Sequence, residues 1–161
     1  MGRFMEETFS SPFDLLLGRK TYEIFAAHWP FVEGGDPTAE SFNAVTKYVA
    51  TSSTDPLAWT NPVALRGDVA AEVARLKRED GPTLLTQGSS VLLQTLLAHD
   101  QVDEFQLLVF PLVLGPGKRL FGQGTIPAGL ELVDSTVSTT GVMIGTYRPA
   151  GDIVTGSFAL E

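Results

Sequence analysis

Residues 83–93 read TLLTQGSSVLL, two apolar runs joined through four small or polar residues. Thr83-Leu84-Leu85-Thr86 has the length and β-branched content of a buried strand. Val91, Leu92, Leu93, Leu96 and Leu97 instead recur at helical spacing. Between the runs, Gly88 permits a tight bend, and Ser89 or Ser90 can cap the helix while its first backbone N–H groups stay free. A strand that passes into a helix in this way has its turn at the carboxyl end of a sheet, where open α/β folds bind ligands.

The same logic recurs at residues 15–25, LLLGRKTYEIF, where an apolar strand runs through Gly18, two cations and Thr21 into a helical pattern. Cations in the first turn of a helix oppose its macrodipole and cost a few tenths of a kcal/mol each. Arg19 and Lys20 make sense there if they face a bound anion, although solvated cations and a plain helix cap at Ser89 are the simpler readings of each turn alone. Neither turn is a Walker loop, and neither carries G-x-G-x-x-G.

Outward from these turns the pattern alternates. Strands are expected at Phe13–Leu17, Tyr48–Thr51, 83–86, Phe105–Phe110, Leu130–Ser138 and Val142–Arg148. Helices are expected at Lys20–His28, Ser41–Val45, Val69–Arg78 and 90–98. WPFVEGGDPTAE (29–40) and TSSTDPLAWTNP (51–62) read as connections. Alternating strands and helices imply an α/β fold with a mostly parallel central sheet, helices on both faces and a C-terminal antiparallel hairpin at its edge.

The chain has 161 residues, 43% of them hydrophobic, which suits one domain with one core. It has no cysteine, and its two histidines, His28 and His99, lie far apart, so neither a disulfide nor a thiolate or histidine metal site is expected. The net charge of −8 argues against binding to nucleic acid, which needs a basic face. No stretch approaches the roughly 20 apolar residues of a membrane span. The first residues, MGRFMEETFSSPF, lack the pattern of a signal peptide, so a cytoplasmic protein is expected.

DLLLGRKTYEIFAAHWP (14–30), LLTQGSSVLLQTLLAHDQVDEFQLLVFPLVLGPGKRLF (84–121) and GVMIGTYRP (141–149) together resemble the dihydrofolate-reductase-like family. Within it they are closest to the C-terminal reductase domain of the bifunctional riboflavin-biosynthesis deaminase-reductase, and the resemblance runs from Phe13 to Pro149. It implies a three-layer fold, bound NADPH, a small pteridine- or pyrimidine-like substrate and a homodimer. Carried over by position, Gly18, Arg19, Lys20 and Thr21 match the family's turn against the phosphates of the adenine half. Gln87, Gly88, Ser89, Ser90 and Val91 match its second pyrophosphate turn. Ser52 and Ser53 match the strand end near the adenosine 2′-phosphate. Many members place an arginine where Ser53 stands; a hydroxyl brings no charge, so NADH is not excluded.

The catalytic side is less marked. Glu6 and Glu7 lie where true dihydrofolate reductases place a pterin-binding carboxylate, and they equally suit a solvated helix face. Asp103-Glu104 resembles a family signature at a strand start. Lys118 and Arg119, in LGPGKRLF, suit either a substrate-facing loop that holds an anionic group or an exposed turn. His28, Trp29 and Trp59 read as packing residues. The family begins with a strand and a long loop beside the nicotinamide pocket, whereas Met1, Phe4, Met5 and Phe9 already follow a helical face. Residues 1–161 are therefore expected to form a single reductase-like domain without that first strand. The alternative to a reductase is a non-catalytic nucleotide-binding or sensor protein with the same fold.

Overall fold

The computed structural model describes residues 4, 8–122 and 125–156 of the chain. Four strands, β1 (Phe13–Gly18), β2 (Lys47–Ala50), β3 (Pro62–Leu65) and β4 (Thr83–Leu85), form a parallel sheet in the order β3-β2-β1-β4. β1 pairs with β2 from Leu15 opposite Lys47 to Gly18 opposite Ala50, and with β4 from Phe13 opposite Thr83 to Leu15 opposite Leu85. β1 is central and covered on both faces, which explains its unbroken Leu15-Leu16-Leu17. Alternation along the strand sends Phe13, Leu15 and Leu17 into a cluster with Tyr22, Phe42, Val49 and Trp59. Leu16 turns to the other face, among Leu65, Val73, Leu92 and Leu96.

Helices α1 (Arg19–Ala26), α2 (Pro37–Ala44), α3 (Val69–Arg78) and α4 (Ser90–Ala98) cover these faces. α2 and α3 start where side-chain chemistry dictates. Asp36 Oδ1 accepts from the N–H groups of Thr38 at 2.8 Å and Ala39 at 3.0 Å, with Pro37 in the first turn. Asp68 Oδ1 accepts from Ala71 N–H at 3.0 Å, and α3 then runs from Glu72 in its first turn to Arg75, Lys77 and Arg78 in its last, in accord with the macrodipole.

The closing hairpin is not an edge of the parallel sheet. Its strands β6 (Leu130–Val137) and β7 (Met143–Pro149) join β5 (Phe105–Val109) in a separate antiparallel sheet of order β5-β7-β6. Other differences from the sequence reading are local. The helix expected at 41–45 begins at Pro37, because Asp36 supplies a cap four residues earlier. The helix expected to reach His28 ends at Ala26 and a 3₁₀ turn, Trp29–Phe31, follows. His28 is exposed with its ring edge against Trp29, so it is not a core residue. The connection expected at 51–62 runs into β3, which opens on Pro62; β3 is an edge strand, where a missing N–H breaks no ladder on the open side.

Lys47 is fully buried at the start of β2. Its Nζ donates to Asn43 O at 2.8 Å and to Thr60 Oγ1 at 3.3 Å, and lies 4.5 Å from the centre of the Trp59 ring. Burial lowers its pKa to about 8, with the nearby Asp14 carboxylate opposing that shift. The ammonium thus ties the end of α2 to the segment before β3. Asn43 adds to this tie by accepting from Trp59 Nε1 at 2.7 Å and donating to Trp29 O at 3.1 Å.

Candidate functional site

The two strand-to-helix turns noted in the sequence meet at the carboxyl ends of the adjacent strands β1 and β4. Gly18 N–H donates to Ser89 Oγ at 3.0 Å, and Ser89 N–H donates to Thr21 Oγ1 at 3.2 Å. This exchange corrects the expected role of Ser89. Its hydroxyl is taken up by Gly18 and its backbone is left-handed (φ 51°, ψ 46°), so its side chain does not cap α4. Gly88 before it also has a positive φ, 65°, which a glycine adopts without strain. α4 begins without a side-chain cap, and so does α1 after Gly18. Neither first turn holds an acidic residue. Two positive helix ends therefore converge on one place with their first N–H groups uncapped by side chains, an arrangement suited to an anion such as a pyrophosphate. Thr86 Oγ1, just before Gln87, is buried without a hydrogen-bond partner and offers a further polar contact. The residues present thus fit a dinucleotide whose phosphates lie over the joined turns.

The two cations of the first turn differ in what holds them. Arg19 pairs with Glu23 at 2.6 Å and donates to the main-chain carbonyls of Asp55 at 3.2 Å and Pro56 at 3.5 Å, so it clamps the segment after β2. Lys20 is exposed, as is Val91 on α4. Ser52 is exposed and Ser53 half-buried. Ser53 N–H donates to Thr51 Oγ1 at 3.1 Å, and its hydroxyl donates to Asp55 Oδ2 at 2.7 Å. Beside them sits a cation that the sequence reading passed over: Arg66 Nη2 donates to Ser53 O at 3.1 Å. Its position is legible only once β3 is recognised, because Arg66 is the residue that directly follows it.

A groove of about 1000 Å³ runs from Gln87 and Gly88 between the two sheets. Thr83, Leu84 and Leu85 of β4 line one side, and Gln106 and Leu108 of β5 the other. Among the described residues each of these strands pairs on one side only. Three carboxylates line the groove, and all are engaged: Glu79 with Arg75, Asp103 with Lys77 at 2.7 Å and Glu104 with Arg148 at 3.0 Å. Glu6 and Glu7 lie outside the described residues. Lys118 and Arg119 are exposed and do not line the groove. Their loop is nevertheless fastened to α4, where Gln94 Nε2 donates to Leu120 O at 2.8 Å and Gly122 N–H donates to Gln94 Oε1 at 3.2 Å.

Comparison with known proteins gives the geometry a context. The sequence model of the RibD C-terminal domain matches residues 1–144. The Bacillus subtilis protein YyaP is 28% identical over 137 residues, which is 83% of this chain and 72% of YyaP. A structure of a protein assigned to riboflavin biosynthesis from Shewanella sp. PV-4 superposes with a TM-score of 0.70 at 19% identity, covering 88% of this chain and 76% of that one. The diaminohydroxyphosphoribosylaminopyrimidine deaminase/5-amino-6-(5-phosphoribosylamino)uracil reductase of Thermotoga maritima gives 0.60 at 17% identity. That match covers 92% of this chain but only 48% of the bifunctional protein, so the chain spans about half its length. At these identities the structural likeness is one of fold.

Proposed function

The chain belongs to the RibD C-terminal domain family, and from that premise we propose that it is an NADPH-dependent reductase of a small heterocyclic, pteridine- or pyrimidine-like substrate. The observation that carries this reading is the pair of strand-to-helix turns locked together by Gly18, Thr21 and Ser89. In it, the N–H groups that open α1 and α4 hold the pyrophosphate, the Gln87–Val91 turn directs the nicotinamide half toward the groove, and the segment 52–56 receives the adenosine end. NADPH, when bound, supplies the hydride. What the chain supplies is orientation: left-handed backbone at Gly88 and Ser89 keeps the phosphate-facing N–H groups convergent, and the groove between the sheets receives the planar substrate.

The protein is also proposed to be a homodimer. Its support is one face of the antiparallel sheet, where register aligns Val109, Met143 and Val137 in a row. These three side chains are 51%, 55% and 65% exposed. An apolar sheet face left in water is a feature of association surfaces.

A second reading, a nucleotide-binding protein without turnover, is favoured by the engagement of Glu79, Asp103 and Glu104 in ion pairs, which leaves no unpaired carboxylate among the described residues of the groove. The deciding experiment incubates the purified protein with NADPH and an aminopyrimidinone or dihydropteridine and follows reduced nicotinamide absorbance. The expected result is substrate-dependent loss of NADPH. Binding of NADPH without its consumption would support the second reading, and absence of binding would overturn both.

A further inference from the structure

β2 and β3 are parallel neighbours, so the chain between them must return from the carboxyl end of the sheet at Ala50 to the amino end at Pro62. Residues 51–61 make that return without a helix, as a strap fastened to α1 and α2. What holds the strap is mostly side chains of other elements. At the carboxyl end of the sheet Arg19 holds the carbonyls of Asp55 and Pro56, and Arg66 holds that of Ser53. Midway, Trp59 N–H donates to Tyr22 Oη at 2.7 Å. At the amino end Asn61 Nδ2 donates to Ala44 O at 2.9 Å, and Lys47 N–H donates to Asn61 O at 2.9 Å. A segment without a ladder of its own opens at less cost than the sheet it joins.

The last residues of the strap close over the Lys47 side chain. Its Nζ and Thr60 Oγ1 both donate to Asn43 O, at 2.8 and 2.7 Å, and the Trp59 ring lies against the ammonium. Asn43 is in the last turn of α2, where the negative helix end favours a cation. Burial opposes the charge: Lys47 is fully buried and forms no ion pair with a carboxylate among the described residues. Asp14 on β1 is the carboxylate whose field reaches it. Tyr22 on α1, its hydroxyl pushed up by burial, stays neutral through mildly alkaline pH. Glu40 lies in the first turn of α2, at the other end of that helix, and residues 57–61 and β3 carry no titratable side chain. Trp59 is only 3% exposed, so the ammonium reaches water only when this part of the strap lifts.

We propose that residues 57–61 are a proton-responsive latch: a charged Lys47 favours lifting of this part of the strap, and loss of its proton seats it. The direction follows from the two environments of the amine. In the closed strap Lys47 titrates at about 8, and lifted into water it takes the ordinary lysine value of about 10.4. Opening therefore takes up a proton between these values and is favoured as pH falls; from pH 7 to pH 9 the lifted fraction is expected to drop about tenfold. The test is amide hydrogen exchange of the wild type at pH 7, 8 and 9, read by mass spectrometry and corrected for the intrinsic rise of exchange with pH. Peptides covering 57–61 should gain about tenfold in protection over this range, while α3 stays level. Lys47→Met, which fills the same space without a proton to lose, should show no such gain. A second measurement needs no variant: the ¹³Cε resonance of Lys47 in the wild type should titrate near pH 8. Protection at 57–61 that is flat with pH, an equal gain in α3, the same gain in Lys47→Met, or a ¹³Cε titration in the ordinary lysine range would each overturn the latch.

Discussion

Replacing Gly88 by valine is expected to weaken NADPH binding by about 100-fold or more, ~2.8 kcal/mol, with a smaller loss of fold stability. Gly88 has φ 65°, where a β-branched residue is a steric outlier that costs roughly 1–2 kcal/mol. A Cβ at this position would meet Thr21 Oγ1 at 4.0 Å, so space is adequate and the strain lies in the backbone. Relief of that strain requires the turn to rotate. Rotation moves Ser89, and with it both hydrogen bonds that join the turns of β1 and β4. The N–H groups of α1 and α4 then no longer converge. Gly88→Ala, with the same sign of strain but no branching, should fall between wild type and Gly88→Val. Calorimetry with NADPH, paired with urea melts of each variant, separates the two effects. Normal affinity in a destabilised Gly88→Val protein would show that the turn is structural and does not touch the cofactor.

The second large effect concerns assembly. Wild type is expected to elute in light-scattering chromatography at twice its 17.3 kDa chain mass, and Met143→Glu at the single-chain mass. Met143 lies on β7, the central strand of the antiparallel sheet, flanked across the ladder by Val109 and Val137. In a symmetric dimer the same patch is used twice, so one substitution places two carboxylates in the apolar contact. Each would lose its hydration without a partner, a cost of several kcal/mol. In the monomer Met143 is 55% exposed, so the variant should keep its fold. A wild-type protein that elutes as a monomer would remove the dimer from the account.

How far the sequence reads through to this structure depends on where the determining interactions lie. α3 is legible to the residue, from Val69 to Arg78, because its cap Asp68 and its charges are within one turn of its ends. The turn at Gln87–Ser90 is legible because a glycine separates two apolar runs of different period. β3 is not: four residues behind a proline carry no period, and what makes them a strand is their register against β2, Lys47 opposite Pro62 through Ala50 opposite Leu65. Arg66 was missed for the same reason. The separate antiparallel sheet is equally hidden, since alternation in Leu130–Val137 says that it is a strand but not that β7 will pair with β5. Lys47 lies just ahead of the strand expected at Tyr48–Thr51, and β2 begins with it. It is buried because Asn43 and Thr60, each several residues away, supply oxygen acceptors for its ammonium.

One pyrophosphate lying across both turns at once would perturb both together. The most direct test is the change in backbone amide resonances of the ¹⁵N-labelled protein as NADPH is added. The largest shifts are expected together, at Arg19–Thr21 and at Gly88–Leu92, saturating with a single affinity, with smaller shifts at Ser52, Ser53 and Arg66. Shifts confined to one of the two turns, or clustered away from both, would contradict it.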